Sequence, residues 1–284
     1  MMSNSPVGPL VRLIRARPLV SFFILTYLLA LVALVPQVLF ALGLLRMNAP
    51  FWYLTIAVCS PATAAIVVQW FSEGNLKICR IYDRWSSLLL GIIFGSALIL
   101  LSSVIVPAML ANRAPLQTLN WHALLSPSSY HCQYSGQYYA VLLALFEEPG
   151  WRGFALPRLQ NIVGPVWASL IIGFLWAGWH FPTFLINGLN TVQILSYSLV
   201  VLGLSVLMSF GANLSRFSIV VAVVMHAACD TRGCLIERLA TNASEKTHGQ
   251  LIWIISSLLI PVAIILVTRG RLGVRQSPAS FDRS

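Results

Sequence analysis

Apolar segments of about 20 residues recur along most of the chain, and they constrain its fold more than any other feature. A helix needs about 20 apolar residues to cross a bilayer. Only 9% of the 284 residues are charged, whereas a typical soluble domain carries about 25%. The sequence therefore predicts an all-α, polytopic membrane protein with a bundle of about eight transmembrane helices. The predicted spans cover residues 19–45, 51–71, 88–110, 136–156, 164–186, 192–210, 217–236 and 251–268.

The basic residues are distributed as the positive-inside rule requires of a protein with an even number of spans. Every second loop between the spans carries few basic residues, mainly Arg46, Arg113, Arg238 and Lys246. These loops are expected to lie on the non-cytoplasmic side. We expect both termini to lie in the cytoplasm, together with the larger basic group: Arg12, Arg15, Arg17, Lys77, Arg80, Arg84, Arg152, Arg158, Arg216, Arg269, Arg271 and Arg275.

The net charge of +10 does not indicate a nucleic-acid partner, because the basic residues are scattered over short loops and the termini. We predict a single membrane domain over residues 1–284, with a flexible polar tail at 275–284. Five cysteines show no pair with metal-ligand spacing, and the odd number argues against a full disulfide framework. The expected partner is the lipid bilayer, and the oligomeric state is open.

Few ionisable residues fall inside the predicted spans, and each has to be explained. The acids are Glu147, Glu148 and Asp230, and the histidines are His180 and His226. A carboxylate at bilayer depth costs about 2.5–3.5 kcal/mol even on the lenient insertion scale. Such residues face the bundle interior, pair with one another and usually mark a functional site.

The fourth segment carries two adjacent glutamates whose side chains point in different directions. Glu148 and Arg152 are four residues apart, so they share a helix face and can pair. Glu147 points about 100° away and has no partner on its own helix. Pro149 and Gly150 can kink the helix and open a polar pocket. We predict a structural Glu148 and a reactive Glu147; the alternative is that both only anchor Arg152.

The histidines lie on two other segments. Gly173 and Ala177 share a helix face with His180, and small residues there allow a close helix approach. His226 and Asp230 are four residues apart on one face, where the carboxylate can fix the imidazole tautomer. Taken alone, His180 would be an ordinary core histidine, and His226 and Asp230 would be an intrahelical pair. Together with the glutamates they favour a catalytic site.

This set suits the activation of water. Glu147 would take a proton from water that His180 orients, and His226 and Asp230 would stabilise the oxyanion. Two histidines and a carboxylate can also form an open zinc site, so Glu147, His180 and His226 are the candidate ligands. The HExxH spacing is absent. No cofactor is certain, and a glutamate-type and a metallo-type hydrolase both stay open.

Three motifs resemble those of the CAAX prenyl endopeptidase and bacteriocin-processing family of intramembrane proteases. Glu147-Glu148-Pro-Gly-Trp-Arg152 matches its Glu-Glu-x-x-x-Arg motif. Trp176-Ala-Gly-Trp-His180 is similar to Phe-x-x-x-His, and the segment from His226 to Asp230 resembles His-x-x-x-Asn. The resemblance covers residues 142–230 and looks closest to the bacterial branch. The chain departs from the usual motifs in having Trp176 for Phe and Asp230 for Asn.

The resemblance implies a catalytic core at about 136–236 in a protein of the bacterial cytoplasmic membrane. It implies that Glu147 and His180 are catalytic, that His226 and Asp230 act near the oxyanion, and that Glu148, Arg152 and Trp176 are supporting residues. The implied activity is endopeptidase cleavage of a CAAX-type C terminus, prenylated or not, or of another peptide or membrane protein. Two alternatives remain: a non-catalytic immunity or scaffold protein, and a proton-coupled transporter.

Overall fold

The computed structural model describes residues 8–46, 52–76, 135–230 and 243–274, with a few isolated positions between 85 and 97. Every secondary-structure element in these ranges is helical, which confirms the all-α prediction. The elements are α1 (Pro9–Ala16), α2 (Pro18–Ala41), α3 (Trp52–Glu73), α4 (Ser135–Glu148), a π-helical segment (Pro149–Ala155), α5 (Leu156–Val163), α6 (Pro165–Trp179), α7 (Phe181–Ile186), α8 (Thr191–Leu214), α9 (Ile219–Asp230) and α10 (Ala243–Val267).

Five helical stretches in the described ranges are long and apolar enough to cross a membrane, so the chain is a polytopic membrane protein. The predicted span 88–110 lies outside the described residues apart from four positions, as do residues 111–134. Residues 231–236 and the tail at 275–284 also lie outside them. The total of eight spans therefore stays a prediction. The five stretches are Pro18–Ala41, Tyr53–Glu73, Pro165–Ile186, Thr191–Leu214 and Gln250–Val267.

Local sequence signals start several of these helices. Proline occupies the first helical position of α1, α2 and α6, where its fixed φ suits the helix and its missing N–H is not needed. Asn190 begins α8 with a capping box. Its side chain accepts from the Gln193 backbone N–H, and the Gln193 side chain accepts from the Asn190 N–H.

Two predicted helices are interrupted next to candidate site residues. Residues 136–156 do not form one α-helix, because α4 ends at Glu148 and the backbone continues as a π-helix from Pro149. Proline has no N–H for the ladder, and single π-helical turns inside α-helices are frequent at functional sites. The predicted span 164–186 breaks at His180, directly before α7, where Pro182 removes another backbone donor.

The helices pack around an aromatic core beneath the π-helical segment. α2 packs along α3, α6 packs against α8, and α4 packs against α9. The Phe22 ring lies 5.8 Å from Trp151 and 5.0 Å from Phe154, and all three side chains are fully buried. Large apolar side chains such as Phe174 and Val267 cover the outside of the bundle. An apolar exterior of this kind suits a lipid environment.

Contacts at one end of the bundle join helix ends that are distant in sequence. Arg15 Nε donates to the Phe71 carbonyl at 3.0 Å. Arg158 Nη2 donates to Glu73 Oε1 at 2.6 Å and to Gln69 Oε1 at 2.7 Å. The start of α2, the end of α3 and the start of α5 therefore lie on the same side.

The last helix joins the same end. Asn213 Nδ2, at the end of α8, donates to the carbonyl of Leu272 at 2.8 Å. An added Cβ at Gly270 would lie 3.7 Å from Val166, at the start of α6. These contacts place the C-terminal end of α10 with the ends of α5 and α8.

Candidate active site

A cavity of about 430 Å³ lies between α4, α6, α8, α9 and α10, and it brings together the residues that the sequence singled out. Its apolar wall includes Leu143, Val200, Leu204 and Trp253. Glu148 and Arg152 do not line it and lie behind its polar wall. The polar and aromatic wall comprises Glu147, Trp176, His180, Tyr197, His226 and Asp230.

The Glu148 carboxylate is fully buried and carries two short contacts on one oxygen. Arg152 Nη1 donates to Glu148 Oε1 at 2.9 Å, as the four-residue spacing predicts. His226 Nδ1 lies 2.7 Å from the same oxygen. Glu148 therefore ties α4, the π-helical segment and α9 together, and a buried carboxylate with two cationic partners has little freedom to move.

Glu147 faces the cavity, with its side chain nearly buried. Its partner comes from another helix, because the Trp176 indole Nε1–H donates to Glu147 Oε2 at 2.7 Å. Among the residues that the structure describes, no second hydrogen bond to Glu147 is found. The other carboxylate oxygen, Oε1, is therefore the atom that remains for a molecule in the cavity.

The His180 ring is held at the break between α6 and α7. Its Nδ1 lies 2.8 Å from the Trp176 carbonyl oxygen. A carbonyl can only accept, so Nδ1 carries the proton and Nε2 is an acceptor in the neutral ring. The Tyr197 ring packs against the imidazole, with ring centroids 5.2 Å apart. Gly173 allows α8 to approach α6 closely, since a Cβ added at Gly173 would lie 2.9 Å from Ser205 Cβ.

His226 has a carboxylate near each ring nitrogen. Nδ1 contacts Glu148, and Nε2 lies 3.4 Å from Asp230 Oδ2. Two carboxylates around one ring is the pattern of the imidazolium ion, which donates at both nitrogens. The contact to Asp230 is the longer one, and the Asp230 side chain is 34% exposed.

The Arg152 guanidinium is buried with Nε and Nη2 lacking hydrogen-bond partners in the described part of the chain. Its Cζ lies 4.6 Å from the centre of the Trp176 ring. A guanidinium over an indole face gains a cation–π attraction, which strengthens when both groups are desolvated. Arg152 thus supports Glu148 on one side and Trp176 on the other.

Comparison with known proteins agrees with this arrangement. Residues 134–231 match a family model described as "Type II CAAX prenyl endopeptidase Rce1-like". That range contains all three motifs and four of the five cavity-lining helical elements. Over these residues the chain is similar to that family. This match confirms the resemblance that the motifs predicted.

A curated protein shows a second similarity. The CAAX prenyl protease 2 of Methanococcus maripaludis is 32% identical over 94 residues. The match covers 30% of this chain and 35% of the relative, so the chain spans about a third of the relative's length. The relative is archaeal, and the bacterial branch stays a prediction.

In this arrangement the candidate metal ligands Glu147, His180 and His226 do not form a three-ligand set. Both nitrogens of His226 face carboxylates, and Nδ1 of His180 is taken by a carbonyl. Glu147 Oε1 and His180 Nε2 are the donors left, whereas a catalytic zinc site has three protein ligands. Within the described ranges, no group of three histidine, cysteine or acidic side chains has suitable geometry.

Several lining residues were missed by the sequence reasoning. Tyr197 is the clearest case: a tyrosine inside an apolar span is a polar signal of the kind used for the histidines. Trp253, Val200 and Leu204 carry no such signal, because apolar residues on a transmembrane helix face lipid or a cavity with equal ease. Only helix packing could place them in the cavity wall.

Proposed function

We propose that the chain is an intramembrane endopeptidase that hydrolyses a peptide bond by direct attack of water, with Glu147 as the general base. One observation carries the proposal. Of the two adjacent glutamates, Glu147 lines a cavity together with both histidines, whereas Glu148 is occupied by Arg152 and His226 outside it. A carboxylate kept clear of ion pairs beside two imidazoles is equipped for proton transfer.

In the proposed reaction, water binds between Glu147 Oε1 and His180 Nε2. Glu147 accepts a proton as the water oxygen adds to the substrate carbonyl carbon. The same proton then passes to the leaving amine as the C–N bond breaks, so the carboxylate is regenerated. His180 orients the water, since its Nδ1–H is fixed on the Trp176 carbonyl and its Nε2 can accept the second water hydrogen.

His226 is proposed to stabilise the oxyanion. Its Nδ1–H is held by Glu148, and its Nε2–H makes only the longer contact with Asp230. The Nε2–H can therefore donate to a substrate oxygen in the cavity. An ionised Asp230 would repel an oxyanion directly, but it helps indirectly by favouring the imidazolium. Preorganised donors of this kind lower the barrier by about 3–4 kcal/mol each.

The proposed substrate is a peptide with an apolar C-terminal part, prenylated or not. Leu143, Val200, Val201 and Leu204 line the apolar part of the cavity. The curated relative is named as a CAAX prenyl protease, which supports a C-terminal CAAX-type peptide for this chain. We place this multi-pass protein in the cytoplasmic membrane as part of the proposal.

The test is cleavage of synthetic CAAX peptides, with and without a prenyl group, by the full-length protein in liposomes. Glu147→Gln removes the base and should lower kcat/KM at least 100-fold. Glu73→Gln is the matched control, because Glu73 pairs with Arg158 at the end of the bundle, away from the cavity. Its activity should stay near that of the wild type.

Other outcomes would overturn the proposal. Cleavage at the wild-type rate by Glu147→Gln would rule out the assigned base. A Glu147→Ala, His180→Ala double variant with full activity in cells would favour a non-catalytic scaffold. Substrate flux into sealed vesicles that is abolished by Glu147→Gln, without any cleavage, would favour a transporter.

A further inference from the structure

Trp176 differs from the usual residue of the family motif in a chemically significant way. The motif has phenylalanine at this position, which has no hydrogen-bond donor, whereas the indole of tryptophan has one. In this chain the donor is used, because Nε1–H contacts Glu147 Oε2 at 2.7 Å. Both side chains are at least 97% buried, so water does not compete strongly for this bond.

The indole ring is fixed by its neighbours on several sides. The Arg152 guanidinium lies over the ring at 4.6 Å. The His226 ring meets it edge-on, with centroids 5.1 Å apart, and the His180 ring lies at 5.9 Å. Since a ring packed in this way cannot turn readily, the direction of its N–H is fixed as well.

We propose that Trp176 is a positioning residue for the proposed general base. Its N–H holds Oε2 of Glu147 and thereby presents Oε1 to the cavity, next to His180. This inference rests on the proposed peptidase activity and extends it, since it explains which carboxylate oxygen reacts. The Trp176 ring also lines the cavity, but the proposed role acts through Glu147 and not on the scissile bond itself.

A purely structural role for Trp176 makes a different prediction. A core tryptophan contributes mainly through its buried ring, which an isostere without the N–H retains. Replacing the indole by benzothiophene, as in β-(3-benzothienyl)alanine, substitutes sulfur for N–H and keeps the ring shape. Under a structural role this replacement should leave kcat unchanged.

Trp179 is a matched control on the same helix. Its Nε1–H donates to Ser60 Oγ at 3.1 Å, and the ring is likewise buried. The same isostere at Trp179 removes one buried tryptophan hydrogen bond without affecting Glu147. Differences between the two isostere proteins therefore report the contact with the carboxylate, and not the replacement as such.

The experiment measures kcat, KM and the melting temperature of both isostere proteins alongside the wild type and Glu147→Gln. At position 176 we expect kcat to fall about 10- to 100-fold, the range for a lost hydrogen bond to a charged group. KM should stay within about twofold, because the isostere keeps the ring that lines the cavity, and the melting temperature should match that of the Trp179 isostere. Among the phenylalanine variants, kcat should likewise be lower for Trp176→Phe than for Trp179→Phe.

The outcomes separate this inference from the proposed function. If the wild type cleaves, Glu147→Gln does not, and both isosteres have equal kcat, the positioning role is wrong and the peptidase assignment holds. If the wild type does not cleave, or Glu147→Gln cleaves normally, the peptidase assignment falls and the positioning role with it.

Discussion

Glu147 and Glu148 are joined by one peptide bond, yet their surroundings differ completely. Glu148 is closed off by Arg152 and His226, whereas Glu147 has one neutral donor and faces a cavity. The 100° turn between adjacent helical residues produces this difference. Substitution of each glutamate by glutamine should therefore affect different properties.

Glu148→Gln should destabilise the protein, because it leaves the buried Arg152 without a counter-charge. Removing one partner of a buried ion pair lowers the free energy of unfolding by about 3–5 kcal/mol. Glu147→Gln should abolish cleavage with little loss of stability, since the amide oxygen can still accept from Trp176. Thermal unfolding in detergent measures both. Equal melting temperatures for the two variants would contradict the division between structural and reactive glutamates.

Asp230→Asn introduces the residue that the family motif usually has. A third of the Asp230 side chain is exposed, so solvent screens its charge, and the amide oxygen of asparagine can still accept from His226. We expect kcat to stay within about tenfold of the wild type, with KM unchanged. Steady-state cleavage assays decide this. A loss greater than 100-fold would show that the carboxylate charge itself is required.

Removal of divalent metal should leave cleavage intact, because Glu147 and His180 offer two free donors where a catalytic zinc site has three protein ligands. The measurement compares rates before and after dialysis against a chelator, with total zinc quantified in the protein. Loss of activity that zinc alone restores would contradict the arrangement of His226 between Glu148 and Asp230.

At the scale of elements, the π-helical segment positions Arg152, the site residue that follows Glu148. It packs against α3 so closely that an added Cβ at Gly150 would lie 2.6 Å from Pro61 Cβ and the Pro61 carbonyl oxygen. Such an approach leaves no room for a methyl group. The position of Arg152, and through it Glu148 and Trp176, thus depends on a glycine.

Gly150→Ala should push the π-helical segment away from α3. Overpacking costs about 1–3 kcal/mol, and a displacement of about 1 Å in a catalytic geometry can cost about 100-fold in rate. Gly211→Ala is the control, because there the added Cβ meets the sulfur of the flexible Met225 side chain. The cleavage rate and the melting temperature of both variants measure the effect. A smaller loss of activity and stability for Gly150→Ala than for Gly211→Ala would contradict the role given to Gly150.

At the scale of the whole molecule, the contacts at one end of the bundle agree with the charge distribution in the sequence. Separate hydrogen bonds at this end join distant parts of the chain: Arg15 with Phe71, Arg158 with Glu73, and Asn213 with Leu272. The positive-inside rule predicts that this end faces the cytoplasm. The loop between α7 and α8 then lies on the opposite side.

Cysteine labelling can test this orientation in a version that lacks the native cysteines. Ala16→Cys, at the end of α1, should react with a membrane-impermeant maleimide only after cells are permeabilised. Asn187→Cys, at the exposed end of α7, should react in intact cells. The reverse pattern would place the basic end outside.

The sequence by itself determined the fold class, the motifs and the pairing of Glu148 with Arg152. Each depends on local information: an apolar length that matches the bilayer, or a four-residue spacing on one helix. The same local reasoning found that Glu147 has no partner on its own helix. It also singled out His180, His226 and Asp230, because ionisable residues in lipid are rare enough to be noticed.

Only the tertiary structure decided which groups meet. The hydrogen bond from Trp176 to Glu147 and the contact of His226 with Glu148 join residues 29 and 78 positions apart. Local spacing carries no information about such contacts. Prolines in the sequence mark both interruptions, but only the structure shows a π-helix after Glu148 and a break at His180. Helix periodicity fixes the direction of a side chain within one helix, but the partner it reaches depends on how the helices pack.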